Sequence, residues 1–189
     1  MPNFLSVLDF DPDQLERCLT LASQLKADRS LGPDAPTAKA LANRHVALVF
    51  EKASLRTRST FEVAIRELGG HVLALGTDEA VGGRESIADV ARSLERWVDA
   101  IVIRTYSQQL LRDFAAAAPR LRVVNGLTDD EHPCQALADC LTLREYWGTS
   151  KGRTLAYIGD GNNVAISLVQ AALMLGIHVH LSLIHISEP

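Results

Sequence analysis

His45-Val46-Ala47-Leu48-Val49-Phe50, then Thr57 to Leu68, then Gly69-Gly70, then His71-Val72-Leu73-Ala74-Leu75: this run decides the fold. The first six residues form an apolar strand without polar alternation, the pattern of a strand buried on both faces. In the next segment Phe61, Ala64, Ile65 and Leu68 recur at helical spacing, and the glycine pair closes the helix. The third segment is again a short apolar strand. Strand, helix and strand in that order make a βαβ unit with parallel strands.

The unit repeats outward from there. Ile87, Val90, Ala91, Leu94 and Trp97 form a helix stripe, and Ala100-Ile101-Val102-Ile103 a strand. Leu110 to Ala118 is a helix stopped by Pro119, and Leu121-Arg122-Val123-Val124 another strand. Cys134 to Tyr146 is a helix with Pro133 at its first turn. Four strand–helix units in succession predict an α/β fold, a doubly wound parallel sheet covered on both faces. Ahead of them, Leu15, Cys18, Leu19, Ala22 and Leu25 mark a helix. Ala27 to Lys39, with Gly32, Pro33 and Pro36, reads as irregular with a short helix near its end.

Gly148 to Arg153 is polar and hinge-like. Thr154 to Ile158 begins a new unit, with Gly159 to Asn163 as its turn, Val164 to Leu175 as its helix and Ile177 to Leu181 as its next strand. The expected organisation is a first domain over 1–147 and the start of a second, Rossmann-like one over 148–181, because a single βαβ unit cannot make a domain. Residues 182–189 stand apart as a tail.

Composition narrows the function classes. The chain has 189 residues, 47% of them hydrophobic and 22% charged, which excludes a disordered chain. Nineteen basic against 23 acidic residues leave no electrostatic footprint for nucleic acid. No stretch approaches the ~18 apolar residues of a membrane span. Cys18, Cys134 and Cys140 form neither a disulfide framework nor a zinc site, and no His/Asp/Glu set has metal spacing. The start, Met1 to Leu5, lacks a basic n-region and a long apolar h-region, so a reduced cytoplasmic setting is expected.

In open α/β sheets ligands bind at the carboxyl ends of the strands, which selects four loops. Ser54-Leu55-Arg56-Thr57-Arg58 leads into a helix, where free N–H groups and the helix dipole favour an anion. The hydroxyls of Ser54 and Thr57 add donors, and arginine forks match phosphate oxygens. Alone, this pentapeptide reads as an N-cap beside solvated arginines. Arg104, ending an apolar strand in the same crevice, shifts that reading towards a site, while Arg58 fits a structural ion pair equally. Thr77 to Arg84, with Gly82-Gly83, is a candidate mobile lid. His132 and Gln135, flanking a helix start, suit hydrogen bonding to a carbonyl oxygen, although a capping His with a surface Gln fits the same residues. Cys134 beside His132 invites a Cys–His nucleophile, but no orienting third group accompanies it. Gly159-Asp160-Gly161-Asn162-Asn163-Val164 opens like a dinucleotide fingerprint, yet Val164 replaces the third glycine and no ribose-binding acid follows. Asn163 on that turn suits a small zwitterion better. His45, His71, His178 and His180, in or beside strands, read as packing residues.

Phe50-Glu51-Lys52-Ala53-Ser54-Leu55-Arg56-Thr57-Arg58 with Phe61-Glu62-Val63 resembles the carbamoyl-phosphate loop of the aspartate and ornithine carbamoyltransferases. His132-Pro133-Cys134-Gln135-Ala136-Leu137-Ala138-Asp139 resembles their second signature. Gly159-Asp160-Gly161-Asn162-Asn163 is similar to the ornithine branch rather than the aspartate branch. The likeness runs from about Phe4 to Leu181.

The resemblance implies transfer of a carbamoyl group from carbamoyl phosphate to the δ-amine of L-ornithine, giving citrulline and phosphate. Ser54, the Leu55 backbone, Arg56 and Thr57 would hold the phosphate. Arg104, His132 and Gln135 would address the carbamoyl carbonyl, with Arg56, Arg104 and His132 as the catalytic set. Asn163 would bind the amino-acid end of ornithine. The family needs no metal or organic cofactor, and its members form trimers or assemblies of trimers in which the Thr77–Arg84 loop serves a neighbouring subunit. Ala80 stands where relatives place a Gln or His, so no ligand role falls to that loop. The family's later ornithine-binding segments have no counterpart here, and Ser182 to Pro189 does not resemble its continuation. The expectation is an incomplete reading of a longer gene, binding carbamoyl phosphate weakly at best and turning over nothing. Alternatives are a carbamoyltransferase for aspartate, putrescine or an acylated ornithine, a non-catalytic nucleotide- or anion-binding module, and a fragment that joins mixed trimers.

Overall fold

The computed structural model describes residues 3–184 apart from Gly82, Arg84 and the side chains of Asp78 and Glu79. Helix α1 (Pro12–Asp28) opens on a reciprocal cap: Asp11 Oδ1 accepts from the Gln14 N–H at 2.7 Å, and Gln14 Oε1 from the Asp11 N–H at 2.9 Å. The proline-rich stretch that follows folds as a 3-10 turn over Arg29–Asp34 and then as turns up to Asn43.

The alternation then unfolds in the expected order. It runs β1 (His45–Phe50), α2 (Leu55–Glu67), β2 (His71–Leu75), the single turn α3 (Thr77–Ala80), α4 (Ile87–Leu94), β3 (Ala100–Arg104), α5 (Gln108–Ala117), β4 (Arg122–Leu127) and α6 (Pro133–Trp147). The strands form one parallel sheet in the order β2-β1-β3-β4. The chain leaves β1 to one side to make β2, then crosses back past β1 to make β3. The strand order therefore reverses between β1 and β3, and the crevice beyond their carboxyl ends is where an open α/β sheet takes a ligand.

Side-chain alternation along the strands divides the core. Ala47 and Val49 of β1 join Ile101, Ile103 and Val123 against α4 and α5, around the fully buried Leu111 and Phe114. Val46 and Leu48 join Val102 on the opposite face, under Ile65 and Phe61 of α2. The sheet is thus buried on both sides, which is why its strands read as continuous apolar runs. The free edge of β4 is covered by Phe4, which pairs in parallel with Val124.

A second, two-stranded parallel sheet follows, with β5 (Thr154–Gly159) and β6 (His178–Leu183) joined by α7 (Asn163–Met174). Helix α7 docks on α1 and α6: Leu168, Ala171 and Ala172 share a core with Val7, Leu15, Leu19, Ala136 and Cys140. On this small sheet Ile158 is 70% and Leu183 60% exposed.

Four expectations need correction or completion. Trp97 lies past the end of α4 and is 65% exposed, so the buried stripe stops at Leu94. His45, His71, His178 and His180 are exposed rather than packed, and the first two stack on each other with ring centroids 4.9 Å apart. The segment read as a lid starts as α3, with Ala80 and Val81 buried in the main core; Gly82 and Arg84 lie outside the described residues. Of the tail, Ser182 and Leu183 extend β6 against Ile158 and Gly159, while residues 185–189 lie outside the described residues.

Candidate active site

Phe50 and Arg104 are register partners at the last rungs of β1 and β3. The loop after β1 turns directly into α2 at Ser54, whose extended backbone (φ −157°, ψ 105°) places its hydroxyl over the Thr57 N–H at 3.4 Å. The preceding N–H groups of the first turn have no intrahelical acceptor and point out of the helix end. Arg104 enters the same space, and its Nη1 donates to Thr57 Oγ1 at 3.4 Å.

A bulge aims that arginine. Pairing between β3 and β4 shifts between Ile103 and Arg104, so Ile103 faces Asn125 while Arg104 faces Leu127, and Gly126 is the extra residue. A Cβ on Gly126 would stand 3.2 Å from the Ile103 carbonyl and 3.5 Å from Arg104 Cβ. A side chain there would be crowded at the point where the arginine turns towards α2.

His132 sits at the start of α6, but its side chain makes no capping bond. Its backbone N–H donates to Ser167 Oγ at 3.0 Å. Burial, reinforced by the nearby positive charge of Arg104, holds its pKa down at about 4. The imidazole is therefore neutral at pH 7. Both Arg104 Nε and His132 Nδ1 are buried without a hydrogen-bond partner among the described residues. Buried polar atoms left unpaired are costly, so two of them in one crevice suit a bound polar group.

The structure thus brings Ser54, Thr57, Arg104 and His132 to one crevice. Arg56 and Leu55 are on the first turn of α2 with their side chains in solvent, and Leu55 is 84% exposed. Arg58 is exposed and makes no ion pair among the described residues. Gln135 does not join the cluster: it is exposed and donates to Asp139 one turn on, at 2.9 Å. Asn163 donates to the Thr128 carbonyl at 2.6 Å, so its turn lies against the loop that carries His132. The cap of α7 is Asn162, whose Oδ1 accepts from the Val164 and Ala165 N–H groups. Cys134 donates to the Asn125 carbonyl at 3.3 Å, and burial pushes its thiol up to about 12, which removes it as a nucleophile. No group of three or more His, Cys, Asp or Glu among the described residues could hold a metal ion.

Sequence reading missed the groups that hold this crevice in shape. Thr105, fully buried, donates a short bond to Glu51, and the Glu51 N–H donates to the Arg104 carbonyl at 2.9 Å, tying the β1 and β3 ends together. Lys52 pairs with Asp129 at 3.3 Å and stacks over Tyr106. Gln108 accepts from Thr128 and Asn125 and donates to the Leu5 carbonyl, anchoring the β4 loop to the N-terminal segment. The one signal in the sequence was Asn125-Gly126 inside an apolar strand.

The architecture is that of a doubly wound α/β protein with a cationic, donor-lined crevice at its switch point. The family pattern described as "Aspartate/ornithine carbamoyltransferase, carbamoyl-P binding domain" matches residues 2–145, and the chain belongs to that family. An ornithine carbamoyltransferase from Parafrankia sp. is 48% identical over 181 residues, covering 95% of this chain and 56% of that protein. One from Anoxybacillus flavithermus is 46% identical over 177 residues, covering 93% and 55%. Among solved structures, the ornithine carbamoyltransferase from Thermus thermophilus superposes with a TM-score of 0.89 at 40% identity, over the whole of this chain and 64% of that one. The enzyme from Gloeobacter violaceus gives 0.83 at 44% identity, over 96% and 58%. The chain therefore spans little more than half the length of the curated relatives it matches. No helix among the described residues is long and apolar enough to cross a membrane.

Proposed function

We propose that this chain is the carbamoyl-phosphate half of an ornithine carbamoyltransferase of arginine metabolism. The observation that carries the reading is the convergence of Arg104 on the Ser54–Thr57 helix start, close enough to His132 for its charge to act there, with Arg104 Nε and His132 Nδ1 both buried and without a hydrogen-bond partner among the described residues. The phosphate lies on the first turn of α2, held by Ser54, the Leu55 backbone, Arg56 and Thr57. Arg104 and neutral His132 polarise the carbamoyl carbonyl. The neutral δ-amine of ornithine attacks the carbonyl carbon, negative charge builds on the carbonyl oxygen beside Arg104, and the C–O bond to phosphate breaks as the leaving phosphate takes up the proton lost by the amine. Positioning and charge neutralisation account for the rate, so no cofactor is invoked. Gln135 reaches the carbonyl only by leaving Asp139, and Asn163 addresses the amino-acid end of ornithine.

The reading divides the chain at Gly148, with 1–147 as the carbamoyl-phosphate domain and 148–181 as the opening of the ornithine domain, in a trimer or assembly of trimers. Three free cysteines fit a reducing cytoplasmic setting. Residues 1–189 alone should bind carbamoyl phosphate without producing citrulline. Calorimetry with carbamoyl phosphate on this chain tests the proposal. Saturable binding that Arg104→Gln abolishes supports it; equal binding by both proteins, or citrulline formation by the chain alone, would sink it.

A further inference from the structure

The loop before His132 is held by a carboxylate that reaches two distant parts of the chain. Glu131 Oε1 accepts from Ser6 Oγ at 2.6 Å, and Oε2 accepts from Ser167 Oγ at 3.0 Å. Ser6 is itself fixed, because it caps the 3-10 turn Val7–Asp9 and its N–H donates to Asp9. Ser167 is fully buried on α7 and also accepts the His132 N–H at 3.0 Å. One hydroxyl therefore donates to Glu131 and accepts from His132. The Glu131 backbone closes a turn with Thr128 in both directions, its N–H to Thr128 Oγ1 at 3.1 Å and its carbonyl from the Thr128 N–H at 2.9 Å. Asn163, four residues before Ser167 and so on the same face of α7, grips the other end of that turn through the Thr128 carbonyl.

We propose that Glu131 is a positioning residue: with Ser167 as its relay, it sets where the backbone places His132, and so couples the α7 turn that carries Asn163 to the carbonyl-polarising imidazole. The coupling follows from geometry. A hydroxyl has one proton and two lone pairs, so when Ser167 donates to Glu131 its lone pairs are presented to the His132 N–H. Losing the carboxylate frees that hydroxyl to rotate, and the residue that caps α6 loses the side-chain acceptor that holds its N–H. Displacement of α7 is transmitted to His132 by the same two contacts, at Asn163 and Ser167. The role in chemistry rests on the proposed function of His132; the role in positioning does not.

The test uses residues 1–189 labelled at histidine nitrogen. Nuclear magnetic resonance reads the His132 imidazole signals and the exchange rate of its backbone amide, and calorimetry reads carbamoyl-phosphate affinity. Glu131→Ala and Ser167→Ala should raise His132 amide exchange at least tenfold, shift its ring signals and weaken carbamoyl phosphate about fivefold. Ser167→Thr, which keeps the hydroxyl, should restore all three. Glu131→Gln keeps one acceptor oxygen and gives intermediate exchange, and it decides the matter should Glu131→Ala fail to fold. Folded Glu131 variants whose His132 ring and amide signals match the parent would overturn the proposal. If those signals move while no variant, nor the parent, binds carbamoyl phosphate, the positioning role stands and the proposed function falls.

Discussion

Arg104 Nη1 lies 3.4 Å from Thr57 Oγ1, which joins the end of β3 to the first turn of α2 across the switch point of the sheet. The two residues are 47 positions apart in sequence and meet because β1 and β3 are neighbours with Phe50 opposite Arg104.

Removing that guanidinium should be costly for ligand and cheap for fold. Arg104→Gln is expected to weaken carbamoyl-phosphate binding by about 2–3 kcal/mol, the scale for a charge-assisted bond in a partly buried site. Arg56→Ala, on a side chain that starts in solvent, should cost about 2 kcal/mol once the anion draws it in. Titration calorimetry checks both, and an unchanged affinity would take the residue out of the site.

The bulge predicts a more indirect loss. Gly126→Val places methyl groups against the Ile103 carbonyl, 3.2 Å from the added Cβ, and pushes on Arg104. Overpacking at such a contact costs about 1–3 kcal/mol of stability, and affinity should fall with it because the arginine is re-aimed. Urea unfolding and calorimetry on the same sample separate the two effects. A variant that loses stability but binds normally would show that the bulge serves packing alone.

His132 makes stability depend on pH. Its pKa in the folded chain, about 4, lies below the ordinary 6.5, so the unfolded chain takes up the proton first. The contribution is complete above pH 6.5 and is lost as pH falls towards 4, below which both states are protonated. Between pH 6.5 and 5 the loss should approach about 2 kcal/mol, and His132→Gln should remove that part of the slope. Urea unfolding across this range would contradict the assignment if the variant kept the parent's slope.

Cys134 should be silent. Its thiol donates to the Asn125 carbonyl and is held in the thiol form by burial, so alkylating reagents at pH 8 should leave it unmodified in the folded protein. Cys134→Ala should retain carbamoyl-phosphate binding within about twofold, at a stability cost of about 1 kcal/mol. Mass spectrometry after alkylation, followed by calorimetry, checks both statements.

The alternation of apolar strands and amphipathic helices was legible because the sheet is buried on both faces, and the cap of α2 was legible because Ser54 satisfies a local N–H group, whereas the Asp11 cap of α1 went unread. The loops that line the crevice followed from the rule for strand ends. What stayed hidden depends on long separations: the Ser6–Glu131 and Glu131–Ser167 bonds span 125 and 36 residues, and no local pattern announces them. Trp97 misled because apolar periodicity continues one turn beyond the point where the helix stops. Gln135 bonds Asp139 one turn on, a pairing that helix spacing offered and that the sequence reading did not weigh.

Helix α7 gives its apolar face to α1 and α6 rather than to its own small sheet alone. For anyone splicing this chain to a foreign segment, the polar stretch at Gly148 is therefore the wrong seam. A graft made there would bring in a helix never shaped to fit Leu19, Ala136 and Cys140, and would discard Ser167 with it. A junction after Leu175 keeps β5 and the native helix on their native bed and leaves β6 as the strand to be rebuilt.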